Sequence, residues 1–181
     1  MKKKILKILL IILGFILGFI LIAETIFLVC LFHVEEKTLT KATQYEKYLG
    51  ENGKYRNVYM KNDIFPYNIK EDNVLEFNYK YLNHWDGHYC GYIVVKYDDK
   101  DYKNETSRLM NIDNAESDYV FPYRQLGLQQ SKYGIIYSMS LDDYTIAYVD
   151  IRYTDDIIDI DYNKIIPSKY LPSNIDIPII N

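Results

Sequence analysis

Val74-Leu75-Glu76-Phe77-Asn78-Tyr79-Lys80-Tyr81-Leu82-Asn83-His84-Trp85-Asp86-Gly87-His88-Tyr89-Cys90-Gly91-Tyr92-Ile93-Val94-Val95-Lys96-Tyr97 is the stretch on which the fold turns. Leu75, Phe77, Tyr79 and Tyr81 alternate with Glu76, Asn78 and Lys80, the period of two that marks a half-buried strand. Tyr89 to Tyr97 is a second β-rich run, and Asp86-Gly87 between the two is a turn signal. Taken as a three-residue loop with Gly87 in the left-handed region, Trp85-Asp86-Gly87 makes a type I turn with a G1 bulge. That loop sets Leu75, Phe77, Tyr79 and Tyr81 opposite Tyr97, Val95, Ile93 and Gly91, with Glu76 opposite Lys96 as an opposite-charge pair. A one-residue slip would turn both faces over.

The same register puts His84 opposite His88, with Cys90 on that face two residues on. Opposed Cβ atoms lie about 4.5–5.5 Å apart, so two imidazoles and a thiolate can share zinc or copper, with Asp86 adding an oxygen. The plainer reading is a turn in which Trp85, Asp86 and Gly87 cover the core or offer an anchor to a protein or peptide partner. Both readings stay open. A nucleophile–base couple of Cys90 with His84 or His88 is disfavoured, because strand neighbours at i and i+2 seldom align for proton transfer.

Leu39, Ala42, Tyr45 and Leu49 predict a helix over Thr38–Leu49, with Gly50 as its C-cap. Asp98-Asp99-Lys100-Asp101 predicts a capped helix to about Ile112. Two further strands are expected at about Tyr133–Ser140 and Tyr144–Tyr153, joined at Asp142-Asp143. A Pro-broken tail from Ile165 to Ile180 is expected to lie along the body. Phe65-Pro66-Tyr67 recurs as Phe121-Pro122-Tyr123, and both turns share that offset of 56 residues. The expectation is an α+β domain, an antiparallel sheet with helices on one face, built from a duplicated α-β-β unit or from chance likeness.

Ahead of this domain, Lys2, Lys3, Lys4 and Lys7 precede an apolar run over residues 8–32. The run is too long for a secretory h-region and has no Ala-x-Ala cleavage site. Phe27-Leu28-Val29-Cys30 is a poor lipidation box. Residues 1–33 therefore read as an uncleaved signal anchor in contact with membrane lipid. The lysines hold its N-terminus in the cytoplasm, and residues 34–181 form an extracytoplasmic domain. Glu24 is the one carboxylate deep in the span: snorkelling or protonated in the plain reading, pairing with a second membrane protein in the functional one.

The chain carries a net charge of −4. Outside the anchor 24 acids face 17 bases, a balance that disfavours nucleic-acid binding. Two cysteines, Cys30 and Cys90, make no disulfide framework. All 20 tyrosines lie outside the anchor. They suit a binding face or simply reflect A/T-rich coding, as the four alanines do. Asp155, Asp156, Asp159 and Asp161 lack the Gly and Glu of a calcium loop. No Gly-x-Ser-x-Gly, His-Glu-x-x-His or Walker motif occurs.

Tyr45-Glu46-Lys47-Tyr48-Leu49-Gly50-Glu51-Asn52-Gly53-Lys54-Tyr55-Arg56-Asn57, Asn62-Asp63-Ile64-Phe65-Pro66 and Asp161-Tyr162-Asn163-Lys164-Ile165-Ile166-Pro167 resemble segments of uncharacterised membrane-anchored cell-envelope proteins of anaerobic Gram-positive bacteria. The resemblance implies an envelope location, no named enzyme and no functional residues. The expected function is a non-catalytic envelope binding module, with a metal-binding sensor or metal-dependent enzyme at His84 and His88 as the alternative.

Overall fold

The structure, a computed structural model, describes residues 2–31, 35–83, 87–112, 117–142, 144–154 and 158–179. The chain divides into two compact units, residues 1–34 and 35–181. The first is helix α1 (Lys2–Leu31). Its stretch Leu10–Val29 is long and apolar enough to cross a membrane, and protein buries none of it. The Thr25 hydroxyl donates to the Leu21 carbonyl (2.8 Å), so this polar side chain is satisfied within the helix.

The second unit is α+β. Strands β1 (Glu35–Leu39), β2 (Val74–Asn83), β3 (Gly87–Lys96), β4 (Arg124–Ser131), β5 (Gly134–Asp142) and β6 (Thr145–Arg152) form one antiparallel sheet in the order β1-β2-β3-β6-β5-β4. Both faces are covered, so the inner strands β3 and β6 are buried almost end to end, as their continuous apolar runs require. On one face Phe77, Tyr79, Tyr81, Ile93, Val95 and Tyr148 pack under residues from Tyr45 to Phe65 and under Leu109. These come from helix α2 (Tyr45–Tyr48), the irregular chain after it, and helix α3 (Asp99–Met110). On the other face Cys90, Tyr92, Tyr137 and Val149 pack under the tail, through Ile158, Ile160, Tyr170 and Ile177, and under helix α4 (Tyr162–Ile165). The tail does lie along the body.

Helix α3 starts where its acids place it, with the Asp98 carboxylate accepting from the Asp101 amide (2.8 Å). Elsewhere the expectations need correction. The β2–β3 hairpin has the expected faces but a register displaced by two: Phe77 pairs with Ile93, Tyr79 with Gly91, Tyr81 with Tyr89 and Leu82 with His88. A bulge between Val74 and Glu76 turns Leu75 outward, where it is 56% exposed. Glu76 therefore meets Lys169 and Tyr170 of the tail (3.0 and 2.9 Å) instead of Lys96. Gly87 pairs with Asn83 as the first residue of β3, where the expectation had it in the turn, and the turn itself, residues 84–86, lies outside the described residues.

Residues 38 and 39 belong to β1, and the helix expected there shrinks to one turn of 3-10 helix (Ala42–Gln44) followed by α2. Helices α2 and α3 share a face while the single-turn α4 lies on the opposite one. Residues 56 apart also fall on opposite faces: Phe65 and Tyr148 on one, Phe121 and Tyr92 on the other. The repeated Phe-Pro-Tyr thus does not mark equivalent packing positions.

Glycine is obligatory at the β4–β5 turn. Gly134 has φ +118°, and a Cβ there would lie 2.1 Å from the Ile151 carbonyl oxygen. Gly134→Ala is expected to destabilise the domain by about 2 kcal/mol or more. Thermal melts check this, and an unchanged midpoint would refute the turn geometry.

Candidate functional site

The chain between α2 and β2 has little regular structure, so its buried carbonyls need donors from elsewhere. Three arginines supply them. Arg152, fully buried on β6, grips Asp150 through Nε and Nη2 (2.8 and 2.7 Å). It also donates to the carbonyls of Tyr55, Arg56 and Val58 (2.7, 3.0 and 2.7 Å) and to the Tyr79 hydroxyl (2.9 Å). Tyr79 in turn donates to Asp150 (2.8 Å). Arg56, 1% exposed, donates to the carbonyls of Leu49, Phe65 and Pro66. Arg108 of α3 donates to those of Asp63 and Ile64.

This stapling leaves a groove of about 440 Å³ between residues 66–73, the end of β3 and α3. Its volume falls in the range of small-molecule sites. Tyr67, Ile69 and Val95 give it apolar surface; Asn68, Lys70, Asn73, Asp101 and Asn104 give it polar groups. At the inner wall stands a chain of polar groups. Glu105 accepts from Arg108 (2.7 and 2.6 Å) and from the Tyr148 hydroxyl (2.8 Å), and the Tyr97 hydroxyl lies 2.8 Å from that of Tyr148. Burial pushes the Tyr148 and Tyr97 hydroxyls well above the ordinary tyrosine range, with the Tyr97 and Glu105 oxygens respectively adding to it. These phenols stay protonated and act as hydrogen-bonding groups.

The residues singled out from the sequence do not converge on this groove. His84, Trp85 and Asp86 lie outside the described residues, as do Asp155 and Asp156. Gly87 is described: its amide donates to the Tyr59 hydroxyl (2.6 Å), which ties the base of the hairpin to the irregular segment. His88 and Cys90 share a face as expected, but both are buried and His88 faces Leu82 across the strands. The His88 Nδ1 accepts from the Asp159 amide (2.8 Å). Burial pushes the Cys90 thiol well above its usual value, with Asp150 and Asp161 adding to the effect. A free thiolate nucleophile is therefore disfavoured there. Asp161 caps α4 and pairs with Lys164 (3.0 Å). Among the described residues no group of three or more His, Cys, Asp or Glu could hold a metal ion.

Sequence reasoning missed the groove. Its only local signal was the i, i+3 spacing of Glu105 and Arg108 on a predicted helix.

Burial also holds the hydroxyls of Tyr45, Tyr79 and Tyr137 far above the ordinary range, as for Tyr148. The folded chain keeps these four protons while the unfolded chain loses them above about pH 10. Their contribution is intact below that pH and falls as pH rises, by about 1.4 kcal/mol per pH unit for each tyrosine. Alkaline unfolding is therefore expected to be steep, with phenolate absorbance from these four appearing with unfolding. Titration of all 20 tyrosines as free phenols before any loss of structure would contradict this.

Comparison of the chain with known protein families, curated proteins and solved structures finds no match.

Proposed function

We propose that the protein is a single-pass, membrane-anchored binding module of the cell envelope, its N-terminus cytoplasmic and its α+β domain outside, with the α3 groove as its ligand site. The carrying observation is the exposed apolar surface of α1, from Leu10 to Val29. Leaving some twenty mostly apolar side chains in water would cost on the order of 30 kcal/mol, and lipid removes that cost. The lysines at one end of the helix, among them the exposed Lys4 and Lys7, support a cytoplasmic N-terminus.

Binding is favoured over catalysis by the state of the reactive groups. Glu105 is engaged by three donors, and Cys90 is held as a buried thiol. A rigid groove of amides, hydroxyls and aromatic surface fits recognition. The hairpin tip at Trp85 and Asp86 is a second proposed contact, for a protein or peptide partner, on the strength of its sequence.

Protease added to intact cells is expected to degrade residues 34–181, while in untreated cells the full-length chain remains in the membrane fraction. A shortened soluble form in the medium would make α1 a cleaved signal sequence. Protection of the domain in intact cells would reverse the topology.

A further inference from the structure

We propose that the α3 groove takes an uncharged polyhydroxylated ligand, a saccharide of one or two rings; this rests on the groove being the ligand site. The first support is the direction of its hydrogen bonds. The Glu105 carboxylate only accepts, so the Tyr148 proton is committed to it (2.8 Å). In the 2.8 Å contact between Tyr97 and Tyr148, Tyr97 must then be the donor. Its oxygen is left as an acceptor in the wall of the groove, suited to a ligand hydroxyl.

The second support is charge. Arg108 and Glu105 neutralise each other at 2.6 Å. At the mouth, Lys70 and Asp101 stand 3.9 Å apart, both substantially exposed. An anion would meet Asp101 and the Tyr97 acceptor; a cation would meet Lys70. Neither sign is favoured.

The third support is the polar rim. Among the described residues the side-chain amides of Asn68, Asn73 and Asn104 make no hydrogen bond. An amide offers both a donor and an acceptor, as a hydroxyl does, so adjacent hydroxyls of a sugar can be met in pairs. Tyr67 supplies a flat apolar surface for the C–H face of a ring. It is 38% exposed and is braced by the guanidiniums of Arg56 and Arg108, 4.5 and 5.4 Å from its centroid. Its position is set before any ligand arrives.

The test uses the full chain in a detergent without a sugar headgroup. Calorimetry and saturation-transfer NMR are run with glucose, N-acetylglucosamine and cellobiose, and with putrescine and inorganic phosphate as charged probes. At least one saccharide is expected to bind, with an affinity unchanged from low to high salt, since no net charge is neutralised. Asn104→Ala, on the exposed surface of α3, and Tyr97→Phe are each expected to weaken binding by about tenfold, the loss of one hydrogen bond.

Saccharide binding that neither variant alters overturns the proposal, and so does the absence of any saccharide binding. If putrescine or phosphate binds instead and the variants weaken it, the ligand class is wrong while the groove stands as the ligand site. Export of the domain as a soluble form with saccharide binding intact would refute the anchoring and leave this proposal in place.

Discussion

A guanidinium with no exposed surface must find acceptors for all five of its N–H groups, and the position of Arg152 follows from that demand. Six acceptor contacts serve the five: Nε donates to Asp150, Nη1 to the carbonyls of Arg56 and Val58, and the two Nη2 protons are shared among Asp150, the Tyr79 hydroxyl and the Tyr55 carbonyl, one of them bifurcated. Because those carbonyls lie in the irregular segment, the segment is held where the sheet puts Arg152. Arg56 then repeats the device one layer out, on Leu49, Phe65 and Pro66. The Tyr45 hydroxyl also donates to Pro66 (2.6 Å). Residues 66–73, one wall of the groove, are thus fixed by a relay that begins on β6. The planar fork of arginine suits this role, since lysine offers a single point charge.

The same relay explains why a chain with so many tyrosines needs them inside. A sheet covered on both faces by loops and short helices brings many backbone polar groups into the interior. A phenol fills core volume and also carries one hydroxyl that can reach a carbonyl or carboxylate. Tyr45, Tyr79 and Tyr137 each do so, on Pro66, Asp150 and the Tyr170 carbonyl. Tyr148 does the same on Glu105, and that bond orients Tyr97 toward it. Packing and the polarity of the groove therefore come from the same side chains.

Alternation along Val74–Lys96 made the hairpin and its faces legible in the sequence, because side-chain direction has a period of two. A displacement of two residues leaves every face unchanged, so alternation cannot select between the expected register and the observed one. The Glu76–Lys96 pairing seemed to select it, but the partner of Glu76 is Lys169, far along the chain. Strands β1 and β4 escaped notice because they close the two edges of the sheet. Glu-Glu-Lys-Thr-Leu buries only Leu39, and Arg124, Gln125, Gln130 and Ser131 are exposed, so neither has a clear apolar period. The groove was illegible for another reason. Its walls come from three separated segments, and the contacts that shape it run from arginines to backbone carbonyls, which every residue has.

Those carbonyls also decide what the buried ion pair is for. Replacing a buried pair with apolar side chains of similar volume is often neutral or stabilising, because the pair's attraction barely repays its desolvation. That exchange presumes that the pair serves only itself. Here three of the six bonds made by Arg152 go to main-chain carbonyls of another segment. An apolar pair would leave the carbonyls of Tyr55, Arg56 and Val58 without those donors, at about 1–3 kcal/mol each if they stay buried. The alternative is for the segment to lift toward water, which would take Arg56 and the groove wall with it. The Arg152–Asp150 pair is better understood as the fixed point from which an irregular chain is hung than as a source of net stability.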